Sequence, residues 1–155
     1  AGPTIVQVEV RCMRLTTKGR YGVRAMAKLA AAGEAQDRPV SITQIADEEQ
    51  LSPEFPEQIF FKLKKAGVIR SIRGPKGGFV LNRRPEEITV AAILDAVGEP
   101  LYPAPCTDDH GEGCARKDGC GLAPVWGEFH TLIRSHLAGI SLRDILDSHR
   151  GAAAG

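Results

Sequence analysis

Hydrophobic residues recur at helical spacing through the first half of the chain. The first such run predicts a helix that is capped by Thr17 and ends near Gly33. The inward face of this helix comprises Tyr21, Ala25, Met26 and Leu29. Because a single helix cannot bury such a stripe alone, it must pack against the elements that follow.

Two further helices follow, separated from each other by a very short turn. Ser41 opens the first of them, where Gln44 completes a capping box and where Val40 and Ile45 form a hydrophobic staple. Ser52 caps the next helix, whose first residue is a proline. Two helices joined so tightly are typical of a helix-turn-helix.

The third helix has an apolar and a polar face at about 100° per residue. Its apolar arc, which must pack inward, consists of Phe55, Ile59, Phe60 and Leu63. The polar side, which we expect to contact DNA, consists of Ser52, Glu54, Glu57, Gln58, Phe61, Lys62 and Lys65. Pro56 predicts a distorted first turn. For Phe61 partial burial under a neighbouring segment is favoured, with contact to a thymine methyl group as the alternative.

A β-hairpin is predicted directly after the third helix. Ile69 and Ile72 mark its first strand and residues 79–81 its second, around a turn of Gly74, Pro75, Gly77 and Gly78. A glycine-rich, positive tip can approach phosphates closely or enter a narrow minor groove, whereas an ordinary solvated hairpin would make no such contact. We expect a wing whose DNA contacts come from Arg73, Pro75, Lys76 and Gly77.

The second half of the chain is predicted to be helical around a central loop. A short helix runs from Thr89 to Gly98, and a last helix opens at Ser141 with Asp144 at its third position. Between them a long helix carries an apolar stripe that needs a covering surface, which a second copy of the chain would supply. We therefore expect a homodimer whose interface includes Val125, Phe129, Leu132, Ile133 and His136.

Three cysteines, Cys106, Cys114 and Cys120, lie in the central loop, which has no hydrophobic period. An odd number of thiols cannot all pair within one subunit, which favours metal ligation. The spacing C-x7-C-x5-C lacks the close pairs of structural zinc sites, and this favours an iron–sulfur cluster of the 2Fe-2S or 4Fe-4S type. Candidates for a remaining ligand, each of which also suits solvated surface, are Asp108, Asp109, His110 and Glu112.

The charge distribution supports this division of roles. The net charge of the 155 residues is +1, but residues 14–84 carry 14 Lys/Arg against 7 Asp/Glu, and residues 85–155 carry 5 against 11. A basic first half suits double-stranded promoter DNA, and an acidic second half suits a regulatory or dimerising part. Since no membrane-spanning run and no secretory signal appear, we expect a soluble cytoplasmic protein with no membrane partner.

The predicted fold is mainly α, a winged helix-turn-helix with a β-hairpin wing, a cysteine loop and a long dimerisation helix. Cys12 is expected to be incidental, because it falls in an N-terminal extension or expression remnant. The predicted divisions are this extension at 1–12, the DNA-binding domain at 13–98, the cluster-binding loop at 99–124, the dimerisation helices at 125–149 and a flexible tail at 150–155.

Four motifs carry a family resemblance: MRLTTKGRYGVRAM at 13–26, the Glu57-Gln58 pair, VIRSIRGPKGGFVL at 68–81 and the cysteine loop. Together they resemble the winged-helix family that contains the iron–sulfur cluster regulator IscR, the nitric-oxide sensor NsrR and the rhizobial iron regulator RirA. The resemblance extends from Met13 to about Asp147. It implies a homodimeric transcription factor, which we expect to be a repressor. Its cluster would sense the iron supply, the iron–sulfur cluster supply, or redox or nitric-oxide status.

The same resemblance implies roles for single residues, with some departures. Glu57 and Gln58 would read base edges, Arg73 would enter the minor groove, and the three cysteines would hold the cluster. The histidine that follows the last cysteine in IscR is replaced by Ala123, and Arg20 stands where NsrR has a partner-subunit aspartate, so the fourth ligand is unassigned. Glu54 replaces a serine that helps IscR to contact DNA, so the operator of IscR is not expected to transfer.

Two functions of other classes stay open. In a metal-free thiol redox regulator, Cys114 and Cys120 would form a disulfide. In an interaction module, regulation would proceed through binding to a metabolic enzyme. An enzyme is not expected, because the sequence has no Ser/His/Asp set, phosphate loop or HExxH pattern.

Overall fold

The computed structural model describes residues 15–36, 38–52, 54–108 and 113–153. The extension predicted at 1–12, Pro53 and three of the candidate ligands, Asp109, His110 and Glu112, lie outside these ranges. Two short 3₁₀ turns span Pro85–Glu87 and Pro105–Thr107. The main elements are α1 (Thr17–Gln36), α2 (Ile42–Glu49), α3 (Glu54–Lys65), β1 (Ile69–Ile72), β2 (Gly78–Leu81), α4 (Val90–Val97), α5 (Ala123–Ala138) and α6 (Leu142–Ala153). The predicted mainly α fold with a β-hairpin wing is confirmed.

Three helices begin at the predicted caps. The Ser41 hydroxyl accepts the Gln44 N–H at 3.1 Å, although the Gln44 side chain turns to Glu48 and leaves the capping box half formed. Thr89 accepts the Ala92 N–H at 3.2 Å. The box at the start of α6 is reciprocal, since Ser141 N–H donates to the Asp144 carboxylate and the Asp144 N–H donates back to the Ser141 hydroxyl. These caps are short-range signals that the sequence carries by itself.

The N-terminal end of α1 differs from the prediction by one residue, and its C-terminal end by three. Thr16, not Thr17, caps the helix, because its hydroxyl accepts the Gly19 N–H at 3.4 Å and its carbonyl accepts the Arg20 N–H. The helix also continues past Gly33 to Gln36. A single glycine inside a helix costs only about 1 kcal/mol, so it does not have to end one.

The helices of the second half also extend beyond their predicted bounds. α5 begins at Ala123 rather than at residue 125, because Pro124 at its second position replaces an N–H that would be unpaired anyway. α6 continues to Ala153 where a flexible tail was predicted from residue 150. Arg150 explains part of this extension, since its guanidinium donates to Glu34 of α1 at 2.7 Å.

Pro56 causes less disturbance in α3 than predicted. The helix is α-helical from Glu54, so Pro56 occupies its third position, where a backbone N–H has no partner within the helix. The Phe55 N–H donates to the Ser52 carbonyl at 3.2 Å, which closes a tight first turn. Pro56 itself is almost fully buried. The ring therefore fits the first turn and contributes to the core.

The hydrophobic core lies between α1, the inward side of α3, α4 and α6. Phe60 packs on Phe79 of β2 with ring centroids 4.9 Å apart, and Tyr21 meets Phe55 edge to face at 5.5 Å. The predicted inward arc of α3 is confirmed. The largest fully buried side chains include Met26, Ile45, Ile59, Phe60, Leu63, Ile69, Ile88, Ile93, Leu94 and Leu142.

The hairpin is held in a fixed position relative to the helices. β1 and β2 pair antiparallel with Ile69 opposite Leu81, and β2 begins one residue earlier than predicted. Val40, just before α2, exchanges two backbone hydrogen bonds with Phe79, at 3.0 and 2.8 Å. At the turn, a Cβ on Gly77 would collide with the carbonyl oxygen of Ile72, so this position requires glycine. The wing tip is thus tied to the start of α2 and, through Phe79, to α3.

Candidate DNA-binding surface and cysteine loop

The outward side of α3 is exposed along its whole length. All the residues predicted there are exposed, namely Ser52, Glu54, Glu57, Gln58, Phe61, Lys62 and Lys65. The Lys62 ammonium also donates to the Val97 carbonyl of α4 at 3.4 Å. The expectation that Phe61 is partly buried is wrong: its exposed fraction is 69%. Phe61 points away from the inward arc, and no described segment covers it.

The wing tip presents positive charge on a narrow backbone. Arg73, Pro75 and Lys76 are exposed and Gly77 is half-buried. The turn is closed by the Gly77 N–H, which donates to the Gly74 carbonyl at 2.9 Å. Arg73 and Lys76 have no carboxylate partner among the described residues, so both charges are free to meet an anion.

Sequence reasoning missed three exposed cations on the same surface, namely Lys64, Arg70 and Arg83. Within the part of the chain that the structure describes, none of them forms an ion pair. Arg70 and Arg83 border a shallow depression at the base of the wing together with Arg84, whose guanidinium is 3.6 Å from Glu87. Strand alternation could have identified Arg70, because its neighbour Ile69 is buried.

Two cations of α1, Arg24 and Lys28, and both arginines of α6 are, in contrast, neutralised within the protein. Arg24 and Lys28 of α1 both bind Glu49, at 2.5 and 2.8 Å, and these hydrogen bonds, that of Lys28 foremost, lower the pKa of the Glu49 carboxyl. Arg143 of α6 bridges Glu34 and Glu86. Unneutralised positive charge therefore extends over α3 and the wing, where a polyanion would bind.

The three thiols of the cysteine loop are free and partly exposed. Cys106 lies in the 3₁₀ turn Pro105–Thr107, which packs against α5. Cys120 lies two residues before Leu122, the N-cap of α5, and the Cys120 carbonyl accepts the Ala123 N–H at 3.2 Å. The Cys114 carbonyl accepts the Lys117 N–H at 3.0 Å. Between the described residues, no three His, Cys, Asp or Glu side chains come close enough to share a metal ion. The donor chemistry of three accessible thiols suits an iron–sulfur cluster, but the described residues do not gather them around one point.

Glu99 anchors the beginning of this loop to α1. Its carboxylate is 5% exposed and accepts the Thr16 N–H at 2.8 Å and the Thr16 hydroxyl at 2.5 Å. Lys18 donates to the adjacent Gly98 carbonyl at 2.9 Å. A Cβ on Gly19 would lie 2.6 Å from the Glu99 carboxylate, so any larger residue there would displace this carboxylate. The chain leaving α4 is therefore fixed at the N-terminus of α1, where negative charge is favourable.

Glu99→Ala should lower the free energy of unfolding by about 1 to 3 kcal/mol, because two hydrogen bonds to a charged group are lost. Urea denaturation followed by circular dichroism measures this change. Asp47→Ala is the matched control, since Asp47 is an exposed carboxylate of α2 that has no ion pair among the described residues; it should change stability by about 0.5 kcal/mol or less. Equal effects of the two substitutions would show that Glu99 does not anchor the loop.

α5 presents an apolar stripe on its outer side. Val125, Phe129 and Leu132 are 51%, 39% and 68% exposed, His136 is exposed and Ile133 is half-buried. The inner side faces α4 and the loop: the Arg134 guanidinium binds both oxygens of Asp95, at 2.9 and 2.7 Å. Within the described residues, a single subunit thus leaves most of the predicted dimer stripe exposed to solvent, although Ile133 is half-buried.

His130 lies on the inner side of α5. Its ring is 5.7 Å from that of Tyr102, and its Nε2 is buried without a hydrogen-bond partner among the described residues.

Within the described part of the chain, no helix combines the length and the apolar character that a membrane span requires.

Comparisons with known proteins agree with this architecture. A family model described as Rrf2, iron-dependent transcriptional regulator, matches residues 15–148. The chain is 40% identical over 135 residues to the HTH-type transcriptional regulator IscR of Aliivibrio salmonicida (strain LFI1238), which covers 86% of this chain and 77% of that protein. T. potens IscR superposes with a TM-score of 0.72 at 32% identity over 90% of each chain. CymR, the global cysteine regulator of B. subtilis, superposes with a TM-score of 0.68 at 30% identity over 87% of this chain and 97% of that one. The chain therefore belongs to the Rrf2 family of transcriptional regulators.

Proposed function

We propose that the protein is a homodimeric, DNA-binding repressor whose promoter affinity is controlled by an iron–sulfur cluster held by Cys106, Cys114 and Cys120. One observation carries the proposal: three free, partly exposed thiols lie on the segment that joins the DNA-binding half to the apolar stripe of α5. The similarity to IscR and the family description of an iron-dependent regulator support a signal of this kind. The signal would be the iron supply, the cluster supply, or redox or nitric-oxide status.

DNA contact is assigned to α3 and the wing. α3 enters the major groove, where the Glu57 carboxylate can accept from a cytosine amino group and the Gln58 amide can pair with adenine. Arg73 inserts into the adjacent minor groove, where negative potential concentrates. The contacts to phosphate come from the Ser52 hydroxyl and the ammonium groups of Lys62, Lys65 and Lys76, because these groups can donate to an anion. Pro75 and Gly77 bring the wing backbone close to the DNA, and Glu54, which repels phosphate, faces the base edges.

The cysteine loop is the sensing element. Each thiolate supplies a soft, negatively charged ligand, and the fourth position is left without an assigned residue. When bound, the cluster supplies a covalent link between three points of the loop that depends on iron and on redox state. The loop is fixed at one end by Glu99 and leads at the other into α5, so ordering it biases the relative position of the two DNA-binding heads.

A second candidate function is a metal-free thiol regulator. The three thiols are partly exposed, and the fold also matches CymR, which is described as a cysteine regulator. In that case a small disulfide or a peroxide would take two electrons from the Cys114 and Cys120 thiols, which would release two protons and form a disulfide, and a thiol reductant would reverse the step. The presence of iron or of a disulfide in the purified protein distinguishes the two functions.

The proposal is tested by purifying the protein without air and measuring iron, acid-labile sulfide, zinc and visible absorbance. We expect iron and sulfide together with broad visible absorbance that a chelator removes. Zinc alone, or no metal with a disulfide between Cys114 and Cys120 in the non-reduced digest, would contradict the cluster. The disulfide without metal would favour the metal-free regulator, whereas zinc alone would contradict both functions.

Arg73→Ala should weaken operator binding by about 1 to 3 kcal/mol, because a guanidinium in the minor groove is desolvated. Lys76→Ala should cost less and, if Lys76 meets one phosphate, reduce the slope of log K against log salt by about 0.9. Fluorescence anisotropy over a salt series measures both effects. Arg150→Ala removes the same charge from α6 and serves as the control. Unchanged operator binding by the Arg73 variant would remove the wing from the DNA interface.

A further inference from the structure

Phe61 is the most exposed aromatic residue among those described, with 69% of its surface open to solvent. The other two phenylalanines of α3 point inward: Phe60 is fully buried, and Phe55 is half-buried against Tyr21. A phenylalanine side chain left in water forgoes the favourable free energy of its burial. On the side of α3 that is proposed to face DNA, a partner that covers this ring would recover that free energy.

The surroundings of Phe61 restrict the nature of that partner. Phe61 follows Glu57 by four residues and Gln58 by three, so the three side chains lie on neighbouring positions of one side of α3. Lys64 and Lys65 follow Phe61 by three and four residues, and both are exposed and without a carboxylate partner among the described residues. A partner that covers Phe61 must therefore present negative charge to the lysines and, beside it, an apolar group that contacts the ring.

Duplex DNA provides this combination. Its phosphates match the lysines, and the only apolar group on the base edges of the major groove is the C5-methyl group of thymine. We propose that Phe61 determines operator specificity by packing on a thymine methyl group close to the base pair that Glu57 or Gln58 contacts. The inference rests on the proposed function, because it places α3 in the major groove. Since one helical turn rises about 5.4 Å, the thymine should lie within about two base pairs of that contact.

Two experiments test this assignment. In the first, binding sites are selected from random duplex pools by the wild-type protein and by Phe61→Ala. We expect a thymine in each wild-type half-site that becomes unspecified for the variant. In the second, uracil replaces each thymine of the selected site in turn, which removes the methyl group and nothing else. At one position per half-site, uracil should weaken wild-type binding about threefold to fivefold, the effect of one buried methyl group, and leave Phe61→Ala unaffected.

Lys65→Ala is the matched control, because it should weaken binding to the thymine and uracil duplexes by the same factor. If the wild-type protein selects no sequence at all, the proposed function fails. If it selects a sequence but is indifferent to uracil at every thymine, the DNA-binding assignment stands and the role of Phe61 is overturned. A Phe61→Ala protein with an unchanged motif and an altered sedimentation coefficient would instead place Phe61 in a protein contact, which also overturns the inference.

Discussion

Phe129→Glu should yield a monomer that has lost most of its operator affinity. The stripe of Val125, Phe129 and Leu132 is open to solvent in the single subunit, and the proposed dimer buries it. A carboxylate placed in the middle of that interface would be desolvated without a partner, at a cost of several kcal/mol. Sedimentation velocity should show the monomer, and operator affinity should fall steeply because one half-site offers half the contacts.

Ser135→Glu is the matched control for this prediction. Ser135 is exposed on the same helix, six residues after Phe129, which places it about 120° around the helix from Phe129. The added charge is the same, but it stays in water, so the control should remain a dimer that binds its operator. If the Phe129 variant sediments as a normal dimer, the interface lies elsewhere and α5 has another role.

Replacing any one of Cys106, Cys114 and Cys120 by alanine should release the iron from anaerobically purified protein. The three thiolates act as one ligand set, so that two of them hold a cluster poorly. Hydrogen exchange should then accelerate in residues 99–108 and 113–122, because the loop has little hydrophobic core of its own. Metal analysis and mass-spectrometric exchange measure the two effects.

Cys12→Ala is the control for the cysteine series. We expect it to keep its iron and its exchange pattern, because Cys12 precedes the domain and the three loop cysteines form the ligand set. Full iron retention by all three loop variants would show that the metal, if any, is bound elsewhere. Iron loss by Cys12→Ala as well would add a fourth ligand and revise the assignment.

The parts of the fold that the sequence predicts are those set by short-range signals. The caps at Ser41, Thr89 and Ser141 join residues three apart, and all three are present. The cap of α1 is different, since Thr16 is held by Glu99, 83 residues away along the chain. Likewise, the extension of α6 depends on the contact of Arg150 with Glu34, and no local pattern indicates either partner.

The candidate site shows the same distinction. Helical periodicity places Phe61 on the outer side of α3, but its 69% exposure depends on which segments pack nearby, and periodicity does not contain that information. Cysteine spacing identifies three donors, whereas their arrangement in space depends on a loop without a hydrophobic period. Such a loop takes its geometry from its ligand and its anchors, of which Glu99 was not predicted.

The central claim, that the cysteine loop controls DNA binding, is tested most directly by measuring operator affinity for three forms of the protein. These are the cluster-loaded protein, the metal-free protein and Cys114→Ala, compared without air on one promoter fragment at one salt concentration. We predict that the metal-free form and the variant agree and that the loaded form differs from both by roughly 5- to 150-fold, the usual range of allosteric coupling. Equal affinities of all three forms on every promoter tested would contradict the account and leave a DNA-binding protein that senses nothing through these thiols.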